Sequence, residues 1–150
     1  MTTTDDLSRL REYVRILTRK LGLLEKSEAS CCGVSLTQCH VIVELGRAGN
    51  ISVNYLANLL GLDKSTMSRT INSLVEQDLV SREAAPGDRR CLSIRLTGKG
   101  HALFLSIEKN MGQYYQAAYT SLPADKREQV MESLEILVKN LPNQCCLENE

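Results

Sequence analysis

The residues of this 150-residue chain with the most reactive side chains are its six cysteines. Five of them, together with one neighbouring histidine, are candidates for metal binding or redox sensing: Cys31, Cys32, Cys39, His40, Cys145 and Cys146. Thiolates bind soft ions such as zinc, cuprous copper, mercury, cadmium and trivalent arsenic, and exposed thiols of low pKa are oxidised reversibly. Because no Cys-x-x-Cys pair occurs, a preformed structural zinc finger or ribbon is not expected. The thiols therefore indicate a sensor of soft metals, metalloids or oxidants.

These candidates also have structural interpretations. Cysteine is a small apolar residue that is frequently buried, which is how we interpret Cys91 and is an alternative for Cys39. His40, on a helix face, fits a hydrogen-bonded interior residue better than a ligand. Catalysis is not indicated, because the adjacent Cys39 and His40 point about 100° apart on a helix, where a nucleophile does not face its base. No phosphate loop, Gly-x-Ser-x-Gly or paired-carboxylate motif occurs, so we predict that the chain is not an enzyme.

A second group of candidates lies on a predicted helix-turn-helix. Ser52 and Asp63 are N-cap residues for helices over residues 53–60 and 64–77, and Gly61 ends the first helix. So short a turn is typical of a helix-turn-helix. The side chains that the second helix buries are Met67, Ile71, Leu74 and Val75. Its exposed side chains are short and polar or cationic: Lys64, Ser65, Thr66, Ser68, Arg69, Thr70 and Asn72. Such side chains suit the base edges and phosphate oxygens of DNA.

The apolar period changes from helical to alternating directly after this helix. Residues 79–84 and 91–96 are predicted to be two strands. Residues 86–90 between them read Pro-Gly-Asp-Arg-Arg, which is typical of a turn. The sequence therefore predicts a β-hairpin with a charged tip that carries Asp88, Arg89 and Arg90.

Four further helices complete the predicted order of elements. Apolar residues spaced three and four apart over residues 7–24 predict a first helix, which ends in the segment 25–33. Ser35 caps a second helix that ends near residue 47. Thr97 caps a long helix, and Pro123 lies in the first turn of the last one.

Charge is balanced over the chain but unevenly distributed along it. The 18 basic and 18 acidic residues give a formal net charge of zero, so overall basicity cannot drive nucleic-acid or membrane binding. Residues 62–100 carry seven basic and five acidic side chains, whereas residues 101–150 carry four and seven. We therefore expect the anion-binding face to be local and sequence-specific contacts to contribute much of the affinity.

Length and composition indicate a single domain. With 43% hydrophobic and 24% charged residues, the chain has an ordinary globular composition. Its polar start, MTTTDD, and its short apolar runs predict neither a signal peptide nor a membrane span. A cytoplasmic protein with reduced thiols and no membrane partner is expected.

The order of elements resembles the MarR family of winged-helix transcription regulators. The resemblance rests on LANLLGLDKSTMSRTINSLVEQDLVSRE (residues 56–83) and PGDRRCLSIRLTGKG (residues 86–100). These contain, in the family's order, a helix-turn-helix, an Asp-x-Arg hairpin and an LTxKG helix start. The resemblance implies a mainly α fold with a small β-hairpin wing, that is, a winged helix-turn-helix with six helices in an intertwined homodimer.

The family pattern also divides the single domain, residues 1–150, into functional parts. Dimerisation elements are expected at about residues 1–34 and 98–150, and a winged-helix DNA-binding lobe at about residues 35–97. One position departs from the pattern, since Asp78 stands where the family commonly has glycine at the end of the recognition helix. Aspartate tolerates a left-handed conformation at some cost, so we expect the same turn with a small local strain.

The resemblance implies roles for the DNA-binding residues. Residues 64–72 would form the recognition surface in the major groove, and Arg90 would enter the flanking minor groove. Asp88 would orient Arg90, and Arg89 would lie near phosphates. The implied protein is a homodimeric regulator, commonly a repressor, that binds a pseudo-palindromic operator in double-stranded DNA and requires no cofactor.

Several input signals remain open. The favoured hypothesis is a thiol-reactive effector that bridges Cys145 and Cys146 to Cys31, Cys32 or Cys39 across the dimer, and so changes the spacing of the recognition helices. A small aromatic or phenolic ligand between the lobes, or no ligand, is the first alternative. Zinc is the second, because the zinc-sensing branch of the family uses Cys, Glu and His near the second helix, although the long helix here has no histidine beyond its start. Outside DNA binding, the alternative is a winged helix that binds a protein.

Overall fold

The structure, a computed structural model, describes residues 3–85 and 88–142, and for residues 28–31, 85 and 88–91 it describes the backbone alone. The described residues form six α-helices, one 3-10 turn and three strands. In chain order these elements are α1 (Thr4–Cys31), α2 (Leu36–Ala48), β1 (Asn50–Ser52), α3 (Val53–Leu60), α4 (Lys64–Glu76), β2 (Val80–Ala85), β3 (Asp88–Leu96), α5 (Gly98–Ser121), the 3-10 turn (Ala124–Lys126) and α6 (Arg127–Asn140). The predicted fold class, a mainly α winged helix-turn-helix with six helices, is confirmed.

Side-chain caps begin the helices where the sequence predicts them. Ser35 Oγ accepts from the backbone N–H of Gln38 at 3.2 Å, and Gln38 Oε1 accepts from the Ser35 N–H at 2.9 Å, which together form a capping box. Ser52 Oγ accepts from the Tyr55 N–H at 3.1 Å and caps α3. Gly61 follows α3 at φ 64, a left-handed conformation that costs glycine little. The predicted starts of α2 and α3 are therefore confirmed.

One predicted boundary is wrong, one strand was not predicted, and the end of α1 is confirmed. α1 ends at Cys31, within the segment 25–33 where the apolar period is lost. β3 begins at Asp88, three residues before the predicted residue 91, so the arginines expected in the turn lie on the strand. Residues 50–52 form a third strand, since three residues are too few for alternation to reveal.

The three strands form one antiparallel sheet in the order β1-β3-β2. Ile94 at its centre pairs with Ile51 on one side and with Arg82 on the other. A register shift between Ala84 and Ala85 brings Ala85 opposite Asp88 at the outer end of the hairpin. We call the hairpin of β2 and β3 the wing.

Up to residue 110, helices α2 to α5 and the sheet share one core. Its largest fully buried side chains are Val41, Ile42, Leu45, Leu56, Met67, Ile71, Leu74, Val80, Ile94 and Ile107. Three of them belong to α4, which confirms the predicted buried face of that helix except for the half-buried Val75. The orientation of α4 is therefore set by hydrophobic burial on its inner face.

Residues 111–142 contain the end of α5, the 3-10 turn and α6. α6 begins at Arg127, after the 3-10 turn, so Pro123 does not lie in its first turn as predicted. The Arg127 guanidinium lies 5.3 Å from the centre of the Tyr119 ring, and its Nε donates to the Leu122 carbonyl at 3.3 Å. No side chain of α6 is buried within this chain.

The amino-terminal helix α1 likewise has no buried residue among its described side chains. Its exposed large apolar side chains are Leu7, Leu10, Tyr13, Leu17 and Leu23. Within the described part of the chain, no helix combines the length and the apolar character needed to cross a membrane.

Candidate nucleic-acid interface

The first turn of α4 is held by Asp63. Its Oδ1 accepts from the Thr66 N–H at 2.7 Å and from Ser65 Oγ at 2.9 Å, and its Oδ2 accepts from Thr66 Oγ1 at 3.0 Å. These donors, the Thr66 backbone N–H first, hold the pKa of Asp63 below its ordinary value. Because both hydroxyl hydrogens point to Asp63, Ser65 and Thr66 have only acceptors left for a ligand.

The outward face of α4 is polar and cationic. Ser65, Ser68, Arg69 and Asn72 are exposed and follow the spacing i, i+3, i+4 and i+7, which places them in one stripe. Lys64 is exposed beside this stripe at the start of the helix. These five residues are the outward stripe of α4. The structure thus brings together most of the predicted recognition residues, while Thr66 and Thr70 are half-buried.

Gln38 on α2 holds α4 from the inner side, a role that sequence reasoning missed. Its Nε2 donates to Ser73 Oγ at 2.9 Å, while its Oε1 completes the capping box with Ser35. Gln77 Nε2 reaches the same Ser73 oxygen at 3.3 Å. The available signal was the Ser-x-x-Gln spacing of a capping box, which identifies the cap but not its second partner.

Arg82 on β2 joins the wing to α4, and sequence reasoning missed this residue too. Its Nη2 donates to Oδ1 of Asn72, on the outward stripe. The available signal was an exposed arginine at an alternating position of a strand that directly follows the recognition helix. A hydrogen bond therefore connects the wing to the outward stripe of α4.

Asp88, Arg89 and Arg90 occupy the start of β3, and their side chains lie outside the description. Their expected roles remain predictions. Further along the wing, Arg95 Nη2 and Glu83 Oε1 form a cross-strand ion pair at 2.7 Å.

Asp78 marks the junction between α4 and the wing. Its φ of 60 lies in the left-handed region, which confirms the turn expected at this departure from the family pattern. The Asp78 carbonyl accepts from Thr97 Oγ1 at 2.6 Å, and the Gln77 carbonyl accepts from Lys99 Nζ at 2.9 Å. The start of α5 therefore holds the end of α4.

The candidate sensing residues occupy different environments. Cys39 is 6% exposed, which is consistent with the structural interpretation of that thiol, and Cys32 is half-buried. The side chain of His40 is 42% exposed, and its Nε2 lies 3.5 Å from Oε2 of Glu25. The interpretation of His40 as an interior residue is therefore wrong.

The remaining thiols belong to parts of the chain outside the description. Cys145 and Cys146 lie beyond the described residues, and so do the side chains of Cys31 and Cys91. Among the side chains that are described, no three of His, Cys, Asp or Glu are grouped so that they could hold a metal ion.

Residues 33–90, from the start of α2 to the wing, match a family model described as MarR family. The crystal structure of a MarR transcriptional regulator from Methanosarcina mazei Go1 is 26% identical to this chain, and the match covers 89% of this chain and 96% of that one with a TM-score of 0.76. The chain is therefore similar to MarR-family regulators in sequence over residues 33–90 and in fold over most of its length.

Other similarities to transcriptional regulators extend over most of the chain. YdgJ of Bacillus subtilis strain 168, an uncharacterized HTH-type transcriptional regulator, is 25% identical over 114 residues, which are 76% of this chain and 70% of YdgJ. A mutant of MarR from E. coli, crystallised with operator DNA, shares 24% identity over 95% of this chain and all of its own, with a TM-score of 0.74. The predicted resemblance to MarR-family transcriptional regulators is confirmed.

Proposed function

We propose that this chain regulates transcription as a homodimer that binds a pseudo-palindromic operator in double-stranded DNA through α4. The observation that carries the proposal is the outward stripe of α4 on a helix whose opposite face is fully buried. The major groove is wide enough to admit a helix, and a helix held in this way presents its polar side chains in fixed positions. The operator complex of E. coli MarR, a protein of the same fold, supports this use of the fold.

The cationic donors of the outward stripe would contact different parts of the DNA, one a phosphate and the other a base. Lys64, at the start of α4, suits a phosphate oxygen, whereas Arg69, one turn further along, can donate two bonds to the acceptors of guanine. Ser65 and Thr66 donate to Asp63 and are left as acceptors, so they suit amino groups on base edges and not phosphates.

The wing supplies the second part of the proposed interface. Arg90 would enter the minor groove, where narrow segments concentrate negative potential and attract arginine. Asp88 would orient Arg90, and Arg89 would lie near phosphates. The position of all three residues at the outer end of β3 supports this assignment.

Homodimerisation is supported by apolar side chains that this chain leaves exposed. On α1 they include Leu7, Leu10 and Leu17, and on α6 they include Met131, Leu134 and Val138. Water-exposed apolar faces on two helices are typical of an interface between subunits. A two-fold dimer would present its two α4 helices to major grooves one helical turn apart, about 34 Å.

The decisive test is binding of the purified protein to its own upstream promoter DNA. Arg90→Ala is expected to abolish operator binding at physiological ionic strength while leaving the dimer and its melting temperature unchanged. Lys109→Ala, which removes the same charge from α5, is the matched control and should retain binding. If Arg90→Ala protein binds as tightly as the parent, the wing does not act in the groove. If the parent does not bind the promoter, a winged helix that binds a protein is favoured.

We further propose that a thiol-reactive signal, such as a soft metal, arsenite or an oxidant, releases this regulator from DNA, with no resident cofactor required. The half-buried Cys32 lies between α1 and α2, at the segment that leads into the Ser35 cap and hence to the Gln38 bond with α4. A bridge from Cys145 and Cys146 to Cys31, Cys32 or Cys39 of the partner subunit would move that segment. Zinc held by Cys31 and His40 is a weaker candidate.

Cysteine variants test this signal separately from DNA binding. Replacing Cys31 and Cys32, or Cys145 and Cys146, with Ser should leave operator binding intact and abolish release by arsenite, mercuric ion or peroxide. Cys91→Ser is the control and should respond like the parent. Unchanged release from every paired variant would refute thiol sensing.

One feature favours the alternative of a small aromatic effector. A depression of about 250 Å³ lies between α3, α4 and the wing, and Ile71, Leu92 and Arg82 are among the residues that line it. An apolar wall with one cation suits an aromatic carboxylate. Release of operator DNA by such an acid from the paired cysteine variants would support this alternative.

A further inference from the structure

We propose that Arg82 orients the Asn72 amide as a hydrogen-bond donor, so that Asn72 favours guanine over adenine in the operator. The proposal rests on the proposed role of α4 as the recognition helix. Asn72 belongs to the outward stripe of α4, and Arg82 on the neighbouring β2 donates to its amide oxygen. Arg82 is thus a positioning residue that acts through Asn72.

The direction of this hydrogen bond follows from the two functional groups. A guanidinium carries five N–H donors and no acceptor, so only the oxygen of the Asn72 amide can face Arg82. The NH₂ group, on the other side of the planar amide, then points away from Arg82. The orientation of the Asn72 amide is therefore determined by Arg82, which has no hydrogen-bond acceptor.

Arg82 lies beside the recognition helix. It lines the same depression as Ser68 and Ile71 of α4 and Leu92 of β3. The arginine is therefore on the side of α4 that faces the wing, next to the amide that it holds.

The two purines differ in what they offer to such an amide. Guanine presents two acceptors in the major groove, N7 and O6, whereas adenine presents the acceptor N7 beside the donor N6 amino group. Asparagine reads adenine with its oxygen and its NH₂ group together, and in this protein the oxygen faces Arg82. An outward NH₂ group matches both guanine acceptors and meets a like donor on adenine.

The experiment compares base preferences selected from a pool of randomised DNA duplexes. The parent protein should enrich guanine over adenine at one position in each half-site. Arg82→Met should shift the ratio of adenine to guanine at that position by about tenfold toward adenine, because the amide becomes free to turn. Arg95→Met removes the same charge from the adjacent strand without touching α4, and should weaken binding without changing any preference.

A second variant keeps the test decisive if Arg82→Met does not fold. Asn72→Asp preserves an acceptor for Arg82 but has no donor, so guanine should lose its advantage and cytosine, through its N4 amino group, should gain. Replacing the selected guanine by 7-deazaguanine should weaken the parent about fivefold and leave Asn72→Asp unaffected.

The outcomes separate the two proposals. The role of Arg82 would be overturned if the parent preferred adenine. It would also be overturned if the parent, Arg82→Met and Asn72→Asp all showed the same base preference. Neither result would contradict operator binding. A parent that enriches no sequence at all would instead overturn the proposed function. A merely structural role for Arg82 would lower the affinity for all sequences equally.

Discussion

The winged-helix lobe and α6 differ in how much apolar surface one chain covers. In the lobe, α4 buries Met67, Ile71 and Leu74 almost completely. On α6, Met131 is 50% exposed and Val138 is 73% exposed, and no side chain is buried. The difference indicates that one chain buries the apolar face of α4 but not that of α6, as the proposed dimer would require. Stability from burial within one chain is independent of protein concentration, and stability from burial between subunits is not.

A similar contrast separates the surface proposed to bind DNA from the surface proposed to bind the partner subunit. α4 carries polar side chains on the face that would meet DNA, while α1 exposes leucines on a long amphipathic helix. Polar exposed residues suit a partner that is bound and released, and exposed leucines suit a permanent one. We therefore expect DNA-binding and dimer-forming variants to separate cleanly in experiments.

The largest expected effect comes from one substitution made in both regions. Met67→Ala should lower the free energy of unfolding by about 3 kcal/mol at every protein concentration, because it leaves a cavity in the core of the lobe. Met131→Ala should have its effect only through the dimer, so its melting temperature should fall on dilution more steeply than that of the parent. Chemical denaturation at several protein concentrations measures both.

Equal, concentration-independent losses for Met67→Ala and Met131→Ala would contradict the comparison. That result would mean that α6 is buried within its own chain in solution. Val138→Ala, at a still more exposed site on α6, is the control for Met131→Ala and should behave in the same way.

A smaller effect is expected where the lobe meets α5. Gly100 is buried, and a Cβ there would collide with the carbonyl oxygen of Leu79. That carbonyl accepts from the Thr97 N–H at 3.1 Å and cannot easily move. Gly100→Ala should therefore lower the free energy of unfolding by about 2 kcal/mol, measured by thermal unfolding.

Gly112→Ala on the same helix is the matched control. A Cβ at Gly112 meets no described atom within 4 Å, so the helix should gain up to about 1 kcal/mol from alanine. Destabilisation at Gly112 instead would place that residue against the partner subunit. Tolerance of alanine at Gly100 would show that α5 does not pack on the lobe as described.

The next effect concerns the cap of the recognition helix and its pH dependence. Asp63→Ala removes three hydrogen bonds to the first turn of α4 and should lower the melting temperature by a few degrees. Because the pKa of Asp63 is lowered in the folded state, its contribution is complete well above the ordinary pKa of 3.8 and is lost as the pH falls through the folded pKa. Melting curves of parent and variant should therefore converge below that pH.

Asp63→Asn distinguishes charge from hydrogen bonding at this cap. Asparagine caps helices about as well as aspartate but does not titrate, so Asp63→Asn should keep most of the stability. The difference in melting temperature between Asp63→Asn and Asp63→Ala should therefore not change with pH. If the parent and Asp63→Ala stay equally far apart at low pH, the ionised cap has no stabilising role.

The smallest effect is a gain at the junction between α4 and the wing. Asp78 adopts φ 60, which favours glycine over other residues. Asp78→Gly should raise the free energy of unfolding by about 0.5 kcal/mol, since relief of strain exceeds the added entropy of the unfolded chain. Asp78→Ala should lower it, and a stabilising Asp78→Ala would show that no strain is stored at this turn.

Much of the fold follows from local signals that can be read without coordinates. Ser35, Ser52 and Asp63 are side-chain caps, and the caps depend on residues three positions apart. The buried face of α4 follows from the helical period of its apolar residues. The start of β3 is different, because strand pairing decides it and the local pattern does not.

The candidate site is predictable in its residues but not in its connections. The outward stripe of α4 is the complement of a hydrophobic pattern and can be listed from the sequence. Gln38 and Arg82 are 35 and 10 residues from their partners on α4, and no local rule links residues at such separations. Their roles depend on which helices and strands pack together.

By itself, the amino-acid sequence determined the order of elements, the capped starts of the helices and the polar face of α4, because these depend on side chains within two helical turns of one another. Only the tertiary structure decided that Arg82 holds the Asn72 amide by its oxygen, that Gln38 ties α2 to α4, and that α1 and α6 leave their apolar faces uncovered. Each of these features arises from packing between distant segments, which brings together groups that the chain itself keeps apart.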